Sequence, residues 1–113
     1  MSPSSIHRFP APLPITEIAF CSWLSQAEPG DVLEYYRGFL GVDLTPFGNS
    51  MGFKPRAELA RTSARAYDLA ERGFVHLVQR RVGPDTFAYL AIARPRTDRT
   101  PVPFETLMSE EAA

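Results

Sequence analysis

The sequence predicts a single small α+β domain in which two main helices pack on a small antiparallel sheet. Three observations carry that expectation. The 113 residues suffice for one core and not for two. Residues 55–72 are rich in Ala, Leu, Glu and Arg, with no Gly or Pro after the first of them, as in a long helix. Segments rich in β-branched and aromatic residues at 32–37, 75–82 and 87–93 are separated by Gly and Pro, as strands are.

The chain opens on a proline-rich lead, residues 1–14. Pro3, Pro10, Pro12 and Pro14 lack the amide donors of a ladder, so a disordered lead is expected. A first helix starts at Pro14 or Thr16 and stops at Pro29-Gly30. It carries two apolar stripes, Ile15, Ile18, Ala19 and Ser22 in one and Phe20, Trp23, Leu24 and Ala27 in the other, and is expected to be buried on most sides.

The segment Val32 to Arg37 then reads as a strand, with Tyr35 and Tyr36 on opposite faces. Gly41, Pro46, Gly48, Asn49 and Gly52 make residues 41–53 a loop. The long helix follows and ends at Gly73. On a wheel, Leu59, Ser63, Ala66 and Ala70 share its inner face, flanked by Tyr67 and Leu69, while Arg61, Arg65 and Arg72 cluster opposite. Val75–Val82 and Phe87–Ala93 are joined by Gly83-Pro84-Asp85-Thr86, a connection short enough to force an antiparallel hairpin. Residues 95–113, with three prolines and an acidic finish, read as an exposed, flexible tail.

The formal net charge of −1 conceals a segregation of sign. Residues 1–50 hold two basic against five acidic side chains; residues 51–100 hold ten against five; three glutamates follow. The middle of the chain therefore carries a local positive field.

Catalysis by a metal or an activated nucleophile requires clustered groups, and His7, His76 and Cys21 are scattered without ligand spacing. Cys21 lies in the most apolar helix and reads as core; His76 reads as a packed or surface strand residue. The glycines lack phosphate-loop spacing. A non-enzymatic chain without cofactor or metal is expected. A lone cysteine cannot form an internal disulfide, and no leader or membrane-spanning pattern occurs, so a cytoplasmic setting is expected by default.

The order helix, strand, helix, hairpin is carried by Ala66-Tyr67-Asp68-Leu69-Ala70-Glu71-Arg72-Gly73-Phe74-Val75, then Val78-Gln79-Arg80-Arg81 and Tyr89-Leu90-Ala91-Ile92. Over residues 15–94 this pattern resembles winged helix-turn-helix domains. The resemblance implies a winged-helix-like domain whose long helix enters the DNA major groove while the hairpin contacts the backbone or minor groove. It marks Arg61, Arg65, Arg72, Arg80 and Arg81 as the binding residues, with Arg94, Arg96 and Arg99 extending the footprint.

Two features weigh the other way. The wheel keeps register from Leu59 to Gly73, giving one continuous helix where a helix-turn-helix needs two. Asp68 can also pair with Arg65 and Arg72, turning the basic face into a solvated salt-bridge network. The sequence thus supports two readings: a DNA-binding regulator, acting as a dimer through spare apolar faces of its first helix, or a protein-binding adaptor or inhibitor of the kind that phages or mobile elements encode.

Overall fold

The structure, a computed structural model, describes residues 6–7, 15–45, 52–95 and 102–109. The elements run β1 (Ile6–His7), α1 (Glu17–Gln26), β2 (Val32–Gly38), α2 (Leu40–Asp43), α3 (Phe53–Glu71), β3 (Val75–Gly83), β4 (Thr86–Ala93) and α4 (Phe104–Met108). This is an α+β domain: helices packed against a three-stranded antiparallel sheet, to which β1 adds a two-residue parallel edge in the order β1-β2-β4-β3. The likeness to a winged helix is approximate.

Local chemistry sets the element ends. Thr16 caps α1, its hydroxyl accepting from the Ala19 amide at 3.0 Å. Helix α3 starts two residues before the expected point because Pro55 sits in its first turn, where a missing amide costs nothing. It ends in a Schellman arrangement, with Gly73 at φ +86°, Phe74 N–H on Leu69 O at 2.9 Å and Gly73 N–H on Ala70 O at 3.1 Å. The hairpin turns at Pro84 and Asp85, the latter at φ +50°, a region that a short polar side chain tolerates.

Antiparallel partners share a face, so the registers assign both sides of the sheet. Val75, Leu77, Gln79 and Arg81 stand opposite Ala93, Ala91, Tyr89 and Phe87, and Leu33 and Tyr36 continue two of these rows on β2. On this face Leu33, Tyr35, Val75, Tyr89, Ala91 and Ala93 join Phe20, Leu24, Ala66, Leu69 and Leu107 in one buried cluster. The opposite face carries Val32, Glu34 and Arg37, then Ala88, Leu90 and Ile92, then His76, Val78 and Arg80.

The structure departs from several expectations. A β-bulge between Glu34 and Tyr36 breaks the alternation, so Tyr35 and Tyr36 do not face opposite ways. Both rings lie against Tyr89, with centroids 6.4 and 6.2 Å away. On α3 the inner face is Leu59, Thr62, Ser63, Ala66 and Leu69, while Tyr67 points outward at 66% exposure. Helix α1 buries Phe20, Cys21 and Leu24 on one side but leaves Ile18 62% exposed.

Residues 102–109 are not an exposed tail: α4 packs against α1 and Leu107 is fully buried. Ile6 and His7 pair with Val32 and Leu33, so the lead contributes a ladder despite its prolines. The rest of the lead, the loop at 46–51, Arg96, Arg99 and the last four residues lie outside the described residues. No helix among the described residues is long and apolar enough to cross a membrane.

Candidate functional site

Arg65 on helix α3 and Arg72 at its C-cap turn toward α1 and α4. The Arg65 side chain, 10% exposed, donates through Nε to Glu17 Oε2 at 2.9 Å and through Nη1 to Asp68 Oδ2 at 3.0 Å. Nη1 also reaches the carbonyls of Leu107 and Ser109, at 3.3 and 3.4 Å. Burial opposes its charge, but the hydrogen bonds to Glu17 and Asp68 outweigh that and hold its pKa above the ordinary arginine value.

Arg72, 11% exposed, completes the arrangement. It donates to Asp68 Oδ2 at 2.9 Å and to the carbonyls of Thr106, Ser109 and Leu107 at 2.7, 3.1 and 3.4 Å. Its guanidinium lies 5.3 Å from the centre of the Phe74 ring. The carbonyls left open at the end of α4 are natural acceptors, since the last turn of a helix has no internal donors for them. Two arginines of α3 thereby fasten the C-terminal helix.

The same seam joins α1 to α3. Glu58 accepts from the Glu17 amide at 2.9 Å, and Thr62 Oγ1 donates to Ile15 O at 2.7 Å. The Arg61 hydrogen bond, and then the Glu17 amide, hold the Glu58 carboxyl below its ordinary pKa. Arg61 remains 56% exposed while paired to Glu58 at 2.7 Å.

The predicted Asp68 pairs with Arg65 and Arg72 therefore form, but in a covered seam and not on a solvated face. The expected cluster of Arg61, Arg65 and Arg72 opposite the inner face is not open to solvent as a unit: Arg61 is exposed, while Arg65 and Arg72 are covered by α1 and α4. Turned to solvent opposite the core face are Ala60, Ala64, Tyr67 and Glu71, with Phe53 77% exposed near the start of the helix.

The hairpin is different. Along the inner face of β3, Val75 is buried, Leu77 half-buried, and Gln79 and Arg81 exposed, so the helical cover runs out at mid-strand. Beyond that point Gln79, Arg80, Arg81 and Val82 are all exposed, Arg80 and Arg81 on opposite faces. Arg81 Nε donates to Gly83 O at 3.3 Å. Among the described residues no carboxylate lies within ion-pair distance of Arg80 or Arg81. Arg94 sits half-buried just past β4, its amide on Phe74 O at 3.0 Å.

An aromatic chain supports the hairpin from beneath. Trp23 meets Phe20 at 6.1 Å, Phe20 meets Tyr35 at 5.4 Å, Tyr35 meets Tyr89 at 6.4 Å, Tyr89 meets Phe87 at 6.4 Å and Phe87 meets Phe39 at 5.6 Å. Tyr36 donates to Asp43 Oδ2 at 2.6 Å, and the Tyr89 hydroxyl accepts from the Leu40 amide at 3.0 Å, tying α2 to the sheet. Burial first, and the Asp43 bond second, raise the Tyr36 pKa.

As to reactive groups, Cys21 is fully buried, and burial pushes its thiol up to about 11. His76 is exposed on the outer face of β3. No group of three or more His, Cys, Asp or Glu suited to a metal ion occurs among the described residues.

Sequence reasoning missed Glu17, Glu58 and the α4 carbonyls. The available signal for α4 was Phe104, Leu107 and Met108, apolar at helical spacing after Pro103. Comparison of the chain with protein-family models, with curated proteins and with solved structures finds no match.

Proposed function

We propose that this chain is a non-enzymatic protein-binding module that engages its partner through the β3–β4 hairpin, in the manner of an adaptor or inhibitor. One observation carries the reading: the distal half of the hairpin stands clear of the helices and holds Arg80 and Arg81 exposed, without an ion-pair partner among the described residues. The rigid aromatic chain beneath it supports a preformed contact surface.

A DNA-binding winged helix is the second reading, favoured by the same two arginines and by the element order, in which β4 is central as the inner wing strand would be. It is weaker on electrostatics. Arg65 and Arg72 are spent on α1 and α4, and the solvent face of α3 offers alanines, Tyr67 and Glu71 to a phosphate backbone. The helix that would precede a recognition helix is also only the four residues of α2.

The deciding experiment compares the wild-type chain with Arg80→Ala/Arg81→Ala in two assays: retention of partner proteins from a native extract, and anisotropy titration of random duplex DNA at two salt concentrations. Wild type is expected to retain a protein that the double variant loses, without saturable duplex binding. Duplex binding that weakens steeply with salt and vanishes in the double variant would overturn the protein reading in favour of DNA.

A further inference from the structure

Among the described residues strand β3 is an edge strand, and its pairing shows which of its backbone groups face away from β4. Arg94 N–H bonds Phe74 O at 3.0 Å, so the pair one step before Val75↔Ala93 is a hydrogen-bonded one. In an antiparallel ladder such pairs alternate, so His76, Val78 and Arg80 turn their amides and carbonyls toward β4. The far side of β4 agrees: Ala93 donates to Asp31 O and accepts from Gly30 N–H, both at 2.8 Å, as an odd-numbered residue facing β2 should. Val75, Leu77, Gln79 and Arg81 therefore aim their amides and carbonyls out of the sheet.

Natural edges are usually shortened, bulged, charged, interrupted by proline or covered, and on this one the charge is that of Arg80 and Arg81, which repels a basic strand and attracts an acidic one. This one spans nine residues without proline, and its side chains from Gln79 to Val82 are exposed on both faces. It bulges only between Arg81 and Gly83. Flanking its open amides are the two unneutralised arginines, one above the sheet and one below.

From this geometry we infer that the free edge of β3 receives an extended acidic segment of a partner protein as an added strand. The inference rests on the protein-binding reading of the hairpin and gives it a mode. Backbone bonds to Leu77, Gln79 and Arg81 supply the ladder, and successive acidic side chains of the incoming strand, alternating between faces, meet Arg80 and Arg81 in turn. A second copy of the chain fits worse. With Gln79 opposite Gln79 of the other copy, Arg80 and Arg81 would stand opposite Val78 and Leu77, and β3 of that copy carries no carboxylate to pair with them.

The test uses the full chain and a synthetic peptide in which pairs of glutamates alternate with pairs of threonines, so that carboxylates stand on both faces of the added strand, against a counterpart carrying lysine for glutamate. The glutamate peptide is expected to bind at least about tenfold more tightly than the lysine one. Its binding is expected to slow hydrogen exchange at the amides of Leu77, Gln79 and Arg81 and to leave His76 and Val78, already in the ladder, unchanged. Gln79→Pro removes an outward amide without touching the β3–β4 ladder, and is expected to weaken binding about tenfold or more while His76 and Val78 stay protected. Arg80→Glu/Arg81→Glu, a variant that keeps every backbone donor, is expected to invert the peptide preference.

The inference is overturned if the glutamate peptide shows no saturable binding, if it binds without protecting those three amides, or if Gln79→Pro binds it as well as wild type. A concentration-dependent dimer of the protein alone, abolished by Gln79→Pro, would replace the acidic strand with a second copy. Should Gln79→Pro retain the extract partner that Arg80→Ala/Arg81→Ala loses, the hairpin reading survives and edge addition fails.

Discussion

The guanidinium of Arg65 reaches three helices at once, and its removal leaves Glu17 without its cation and Asp68 with Arg72 alone. Losing charge-assisted hydrogen bonds in a partly covered seam typically costs about 1.5–3 kcal/mol. Arg65→Ala is expected to lose roughly that in urea denaturation, whereas Arg61→Ala, whose pair is half exposed, should lose about 0.5 kcal/mol or less. Gly38 is a second sensitive position. An added Cβ would lie 2.5 Å from Asp43 Oδ2 and 2.8 Å from the Tyr36 ring, so Gly38→Ala is expected to break the Tyr36–Asp43 bond and lower the urea midpoint. The buried Cys21 thiol adds a pH dependence. Its folded pKa of about 11 exceeds the value in the unfolded chain, so the folded state holds a proton that the unfolded state releases. Stability is expected to be flat below about pH 8.5 and to fall between there and pH 11, with Cys21→Ala flattening that fall in a urea series.

Among the elements, α4 has a large effect for its length, since five residues and their C-cap Ser109 place Leu107 in the core and three carbonyls on two arginines. Leu107→Ala is expected to cost about 2–4 kcal/mol and to speed hydrogen exchange across residues 104–109 before the rest of the protein. The sequence made α3 and the hairpin legible because their signals are local: a long run of helix formers closed by Gly73, and two apolar segments joined by a Pro-Asp turn. It left α4 hidden because one helical turn flanked by prolines and glutamates has too little periodicity to stand out, and its stability is tertiary. The arginines failed for a related reason. A helical wheel marks the side away from Leu59 and Ala66, but whether water or another helix lies there depends on residues 34 to 44 positions later in the chain. The bulge at Tyr35 was equally invisible, because an extra residue in β2 leaves no mark in composition.

Across the whole molecule, Trp23 and the sheet report on one core, since Trp23 packs on Phe20 and Phe20 on Tyr35 of β2. Trp23 fluorescence and far-ultraviolet circular dichroism are expected to trace the same urea transition, and Arg65→Ala should displace both curves together. Separate transitions would mean that the helical seam and the sheet unfold independently. The position of α4 also imposes an order of events during synthesis. A ribosome adds roughly 5–20 residues per second, so α3 is made seconds before the carbonyls of Thr106, Leu107 and Ser109. During that interval Arg65 and Arg72 lack those acceptors and the Leu107 position in the core is empty. The nascent chain thus passes through a cationic, open-cored form that the finished protein conceals, and the last turn of helix acts as a clasp.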